Sequence, residues 1–421
     1  MPTATTRANS DSSKNQPMPA RLLIRAHRAL ASALALLAAG CVTVPPERPP
    51  PAPSLPPQYR PVAFAALPGW SDDRVQDAWP AFRVGCTALT APAAASRTLW
   101  SPPCTAAAAI DPQDGAAIRA FFEAHFSPYQ VVAADGRTEG TITGYYEPLL
   151  AGSRVRSERF AVPLYAAPDD LLTIDLTELY PELKDKRLRG RVEGRKVVPY
   201  WPRADIERGR APLDGKALVY VGDPVDAFFL QIQGSGRVQL AEGGVVRIGY
   251  ADQNGRPYRS VARVLIDRGE LPAERASMQA IREWGRRHPA ELPAVLDENP
   301  SYVFFREVPA PAPGTLEAAI DGPIGTLGVP LAAGRTLAVD PRAVPLGAPV
   351  FLATTWPLSS RPLARLMLAQ DTGGAIRGAI RGDFFWGFGD DAGREAGRMK
   401  QDGRMWILWP KDAGAPKVVD P

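Results

Sequence analysis

A mainly β chain in two domains, one of them a small closed barrel, is the fold class this sequence predicts, on three observations. The length of 421 residues favours two domains with ample core. Short β-rich runs recur through the middle of the chain, among them Ala217-Leu218-Val219-Tyr220-Val221, Phe228 to Gln233 and Val245 to Gly249. After the punctuated stretch Pro309 to Gly314 come further short strands with Gly and Pro turns, ending at Trp406-Ile407-Leu408-Trp409. Many short strands without a βαβ rhythm fit a closed barrel.

In chain order, the first element is a leader. Arg21, Arg25 and Arg28 precede the apolar run Ala29 to Ala39, which leads into Gly40-Cys41. A basic segment, an apolar run too short to span a bilayer and small residues before a Cys resemble a bacterial lipobox, with Ala38 where Leu is commoner. Residues 1–40 are expected to be a lipoprotein signal peptide and Cys41 the lipidated residue; Met18 gives a better-proportioned leader than Met1. Ten prolines lie between Pro45 and Pro68, so residues 41–65 should be an extended tether of polyproline II character.

Asp111-Pro112 reads as N-cap and first helical residue, followed by the apolar stripe Ile118, Phe121, Phe122 and His125. A packed structural His125 is expected. Gly140 to Leu150 reads as a strand entering a tight turn. Two helices follow Ser260 and Ser277, the second stopping at His288-Pro289, where His288 suits a helix C-terminus. The one internal repeat, Ala375-Ile376-Arg377-Gly378 then Ala379-Ile380-Arg381-Gly382, is a local duplication within a strand or loop rather than a solenoid.

Charge excludes one class of function. The formal net charge is +4, and residues 1–40 alone carry five basic side chains against Asp11. The remainder is neutral, so the basic character belongs to the leader and no nucleic-acid partner is expected. With Cys41 lipidated, Cys86 and Cys104 form an even pair in an exported chain and are disulfide candidates. Two histidines beyond the leader, His125 and His288, and no Cys/His spacing argue against a metal site and against a Cys nucleophile. No cofactor is expected.

The chemistry concentrates in Gln370-Asp371-Thr372-Gly373-Gly374 through Gly382-Asp383-Phe384-Phe385-Trp386-Gly387. Asp371 and Asp383 stand twelve residues apart, and Asp340 lies upstream in Val339-Asp340-Pro341. Glycines beside an acid let backbone or substrate approach it, and carboxylates beside aromatic rings suit carbohydrate cleavage. These segments resemble the C-terminal three-aspartate module of the membrane-bound lytic murein transglycosylase A family. The likeness extends through Thr143-Gly144-Tyr145-Tyr146-Glu147-Pro148, Gln231-Ile232-Gln233-Gly234-Ser235-Gly236, Gly249 to Gly255 and Asn299-Pro300-Ser301-Tyr302, covering roughly 140–410. Departures are modest: the family often has a smaller polar residue at Glu147, and the gap between Asp371 and Asp383 can be one residue shorter.

The resemblance implies a double-psi β-barrel built from residues 66–150 and 314–421, a smaller inserted β-domain at 151–313, and a groove between them. It implies a lytic exotransglycosylase that cuts the β-1,4 bond between N-acetylmuramic acid and N-acetylglucosamine in peptidoglycan and leaves 1,6-anhydro ends; the residues themselves leave exo against endo action open. Asp383 matches the catalytic acid/base, with Asp371 and Asp340 as flanking aspartates. A turn role for Asp371 and a structural one for Asp340 stay open. Tyr145, Tyr146, Glu147, Gln231, Gln233, Ser235 and Trp386 are candidates for binding glycan strands, although one of the adjacent tyrosines should be core. The implied location is the outer membrane, lipid-anchored and facing the periplasm, with wall-synthesis complexes open as partners. Two other classes remain. Asp371-Thr372-Gly373 is the tripeptide of aspartic peptidases, which would require a dimer, and a non-catalytic murein-binding lipoprotein would need no acid at all.

Overall fold

The computed structural model describes residues 57–417 except 184, 185 and 187. The leader, Cys41 and most of the tether lie outside the described residues. Strands β1 (Gln58–Pro61), β2 (Phe126–Val132) and β3 (Gly140–Glu147) come first. Nine more follow: β4 (Leu149–Ser153), β5 (Val162–Tyr165), β6 (Leu172–Thr173), β7 (Arg189–Glu193), β8 (Lys196–Pro199), β9 (Ala217–Val221), β10 (Ser235–Leu240), β11 (Val245–Gln253) and β12 (Val303–Glu307). The last five are β13 (Thr336–Val339), β14 (Pro349–Thr355), β15 (Pro362–Asp371), β16 (Gly382–Phe388) and β17 (Lys400–Pro410).

Mainly β architecture follows from this order. The first and last strands form one sheet, β1-β2-β17-β14-β15-β13-β16-β3, and β17 also pairs with β3, so six strands close on themselves. Closure removes the sheet edges that would otherwise expose unpaired backbone. The long β17 allows it, meeting β3 along Lys400 to Gly403 and β2 from Trp406 onward. A six-stranded sheet, β12-β11-β10-β4-β9-β5, and the small β6-β7-β8 sheet come from the middle of the chain. β3 runs from the closed sheet into β4 of the second across Pro148 alone, where a turn was expected. Proline cannot donate to a ladder, which suits a point where the strand changes sheets.

Three helices, α1 (Trp79–Leu89), α2 (Arg97–Ala107) and α3 (Gly115–His125), pack on the closed sheet. Trp79, Phe82, Trp100, Phe121, Phe122 and Phe126 are all buried there, and Trp79 meets the Phe121 ring edge-on at 5.1 Å. Each such side chain contributes roughly 1.5–3 kcal/mol by burial. Neither α1 nor α2 was foreseen. Cys86 of α1 and Cys104 of α2 are joined by a disulfide with Cα atoms 5.6 Å apart. The third helix begins later than Asp111-Pro112 suggests, because Asp114 caps it by accepting from Ala117 N while Asp111 closes a turn onto Gln113 N. His125 packs on the Phe121 ring.

Five helices belong to the middle segment: α4 (Arg203–Glu207), α5 (Pro224–Gln233), α6 (Val261–Asp267), α7 (Met278–Arg287) and α8 (Leu292–Asp297); α5 packs on the second sheet and shares a further core with α6, α7 and α8. Ser260 and Ser277 cap α6 and α7 as their positions imply, and His288 stacks on Trp284 at the end of α7. A last helix, α9 (Gly389–Arg398), links β16 to β17. Two expectations need correction. Phe228 to Gln233 is the second half of α5 and not a strand, since Asp223 caps the helix and Gly234, at φ 78°, ends it in the left-handed conformation. Within the expected tether, β1 is an edge strand on β2, fixed by its backbone ladder and by Tyr59 Oη donating to Ala343 O at 2.8 Å. Among the described residues no helix is long and apolar enough to cross a membrane.

Candidate active site

β13 lies between β15 and β16, and its Ala338 pairs with Asp371 on one side and Asp383 on the other. The two acids therefore flank one residue, about 10 Å apart along the sheet at two strand spacings. On its other side Asp383 pairs in parallel register with Thr143 of β3. That neighbour is used: Thr143 Oγ1 donates to Asp383 Oδ1 at 2.5 Å, and Arg381 Nη2 donates to Thr143 Oγ1 at 2.8 Å. Burial pushes the Asp383 carboxyl up, the Thr143 bond and the Arg381 charge oppose it, Asp371 adds to it, and the result is a pKa of about 6.

Asp371 has both oxygens occupied. Oδ1 accepts from Thr326 N at 3.0 Å and Thr326 Oγ1 at 2.9 Å, while Oδ2 accepts from Tyr145 Oη at 3.0 Å. Burial raises its pKa despite these donors. Tyr145 is raised well above its ordinary value by burial first and then by the charges of Asp371 and Asp383, so it stays a neutral donor. Its ring rests on Phe385 at 5.1 Å.

Asp340 makes its hydrogen bonds with partners other than this pair. It is 2% exposed, accepts from Arg342 Nη2 at 2.8 Å and Nε at 3.0 Å, and accepts from Gly378 N at 2.8 Å. Although burial pushes it up, those donors hold its carboxyl below the usual range. Asp340 thus pins the loop that joins β15 to β16, and the duplicated Ala-Ile-Arg-Gly segments lie in that loop.

The glycan-binding candidates divide. Tyr146, half-buried like Tyr145, donates its backbone N–H to Gln233 Oε1 at 3.2 Å, which ties β3 to the end of α5. Neither tyrosine is core. Ser235 starts β10 half-buried, opposite Gly249. Three others are engaged by other side chains, Gln231 and Glu147 buried and Trp386 half-buried. Gln231 is 8% exposed and its Oε1 accepts from Arg203 Nη2 at 2.5 Å, because it lies on the inner face of a helix and not on the presumed strand. Glu147 is 1% exposed and paired with Arg237 Nη2 at 2.8 Å. Trp386 packs against Phe384 at 4.7 Å and Trp356 at 5.3 Å, with Nε1 at 3.3 Å from Met399 Sδ.

Sequence reasoning did not single out Thr143, Arg381 or Thr326. Thr143 opens the Thr-Gly-Tyr-Tyr motif and Arg381 stands two residues before the acid, so both were within reach; nothing local marks Thr326, which meets Asp371 only through the fold. A hollow of about 400 Å³ near α8, lined by Pro257, Tyr258, Arg259, Glu298 and neighbours, includes none of these acids. Among the described residues no group of three His, Cys, Asp or Glu side chains could hold a metal ion.

Comparisons with known proteins agree on one family. The MltA specific insert domain matches residues 141–306 and the 3D domain matches residues 335–409. Membrane-bound lytic murein transglycosylase A of Escherichia coli strain K12 is 33% identical over 288 residues, covering 66% of this chain and 68% of that protein. A monoclinic crystal structure of MltA from Neisseria gonorrhoeae superposes with a TM-score of 0.74 at 38% identity, over 89% of this chain and all of that one. The structure of E. coli MltA with bound chitohexaose matches with a TM-score of 0.62 at 28% identity, over 85% and 95% of the two chains.

Proposed function

The chain belongs to the membrane-bound lytic murein transglycosylase A family, and from that premise we propose that Asp383 is its single catalytic acid and base. The protein is a peptidoglycan lytic transglycosylase. One observation carries the assignment: burial and the neighbouring Asp371 hold the Asp383 pKa at about 6, so near neutrality both its protonated and its ionised forms are populated. A lytic transglycosylase needs both in turn. The acid protonates the oxygen between N-acetylmuramic acid and N-acetylglucosamine, the C1–O bond breaks, and the carboxylate then takes the proton of the muramic C6 hydroxyl as its oxygen bonds to C1. A 1,6-anhydro ring closes and no water enters, because the nucleophile is already in place.

Asp371 supports this role from two strands away: Thr326 and Tyr145 hold its oxygens in place, and its charge raises the pKa of its neighbour. The same hydrogen bonds disfavour a peptidase reading, in which Asp371 would have to face a second copy of itself and share a proton. The glycan would lie in a groove between the barrel of residues 66–150 and 314–421 and the insert of 151–313, past Tyr145, Tyr146, Gln233 and Ser235. The chitohexaose bound to the E. coli relative supports an oligosaccharide ligand of that kind. We further propose anchoring to the outer membrane through lipidated Cys41; labelled palmitate absent from the wild-type protein in cells would refute it.

Digestion of purified sacculi in heavy-oxygen water tests the reaction. We expect 1,6-anhydromuramoyl ends free of label. Labelled reducing ends would mean a hydrolase and overturn the proposal.

A further inference from the structure

Thr143 has a single hydroxyl proton, and Arg381 has donors only. Since Arg381 Nη2 donates to Thr143 Oγ1, that proton is left for Asp383 Oδ1. Arg381 is itself fastened to the backbone of β16 and β3, with Nη1 donating to Gly382 O at 2.5 Å and to Thr141 O at 3.4 Å. Among the described residues nothing hydrogen-bonds Oδ2. We propose that Arg381 is a positioning residue of the reaction: through Thr143 it fixes Oδ1 as a permanent acceptor and leaves Oδ2 as the oxygen that gives its proton to the glycosidic oxygen and then takes up the proton of the C6 hydroxyl.

The proposal rests on Asp383 being the acid. Without Arg381 the Thr143 hydroxyl could rotate and accept a proton from Asp383 instead of donating, and the transferable proton would spend part of its time pointed at the protein. Three titratable groups face Asp383: the charged Arg381 beside it and Asp371 from β15, and the neutral Tyr145 from β3. Of these only Arg381 is cationic, so it restrains the rise that burial and Asp371 impose and keeps the conjugate carboxylate available for the second half of the reaction.

The test measures kcat, KM and the pH–rate profile on soluble murein glycan strands for Arg381→Gln, Arg381→Lys, Thr143→Val and Thr143→Ser, with Asp383→Asn alongside. A general acid works while protonated, so the alkaline fall in rate tracks its pKa. Arg381→Gln should move that fall to higher pH and lower kcat by about 10–10²-fold with little change in KM. Arg381→Lys should keep the position of the fall, and Thr143→Ser should retain most activity. Thr143→Val, nearly isosteric, should reproduce the Arg381→Gln loss and serves if that variant does not fold. Wild-type kcat and an unmoved profile in Thr143→Val or in folded Arg381→Gln, beside an inactive Asp383→Asn, would overturn the positioning role alone. An active Asp383→Asn would overturn the assignment of the acid as well.

Discussion

At Asp383 burial outweighs the hydrogen bond and the cation that oppose it, and the excess has a stability consequence. Its folded pKa, about 6, lies above the ordinary carboxylate value near 4. The stability tied to its neutral form is therefore fully present below about pH 4 and is lost as pH rises through about 6. Asp383→Asn should lower kcat by about 10²–10⁴-fold and at the same time raise stability at pH 8 by about 1–2 kcal/mol, discounted for partial exposure, with no gain at pH 4. Thermal melts at the two pH values check this; a variant destabilised at pH 8 would contradict the burial account. At this scale the sequence was readable where a motif named the residue. Asp371 and Asp383 stand out by the glycines and aromatics around them and Tyr145 by its motif, and the fold sets all three on neighbouring strands. The partners of Glu147 and Gln231, expected as groove residues, were not legible, since Arg237 and Arg203 are distant in the chain and only the fold brings a cation to each.

β3 shows how an element sets a site through its smallest residue. It carries Thr143 to Asp383 and Tyr145 to Asp371, while Gly144 between them faces the other way onto α9. A Cβ at Gly144 would fall 2.6 Å from Trp386 Nε1 and 2.8 Å from the Ala396 Cα. The indole is packed against Phe384 and Trp356 and the helix backbone cannot give way, so Gly144→Ala should displace the strand. We expect it to cost about 1–3 kcal/mol of stability and to lower kcat more than tenfold by misplacing Thr143; denaturant melts with kinetics on the same preparation read both. Elements were legible where caps and pattern agreed, as at Ser260 and Ser277. Phe228 to Gln233 was not, because a short apolar run fits strand or helix equally and the deciding residues, Asp223, Pro224 and Gly234, lie at its flanks. Nor were α1 and α2: α2 carries Pro102 and Pro103 in its interior, and both mix small residues with few aromatics.

For the molecule as a whole, the first and last strands had to find each other across the middle of the chain, and sequence order alone carries no record of that closure. Arg237 of β10 marks where the closed sheet and the middle segment are held together. It pairs with Glu147 at the end of β3 and with Asp321 on the way back to β13, and its guanidinium lies 4.1 Å over the Phe388 ring of β16. Glu147, 1% exposed, is raised by burial and held down by Arg237. Removing the cation alone would leave a buried carboxylate uncompensated, which costs about 3–5 kcal/mol. Arg237→Ala should therefore be strongly destabilising near neutrality. The loss should shrink as pH falls, because protonation of Glu147 then removes the buried charge. Glu147→Gln added to Arg237→Ala should recover most of the stability, a coupling that independent sites would not show. If catalysis depends on how the two sheets are held, the rescued double variant should still show a raised KM for glycan strands, since stability returns without the link between β10, β3 and β16. A double variant with wild-type KM would reduce Arg237 to a neutraliser of Glu147, and an additive double-mutant cycle would remove even that role.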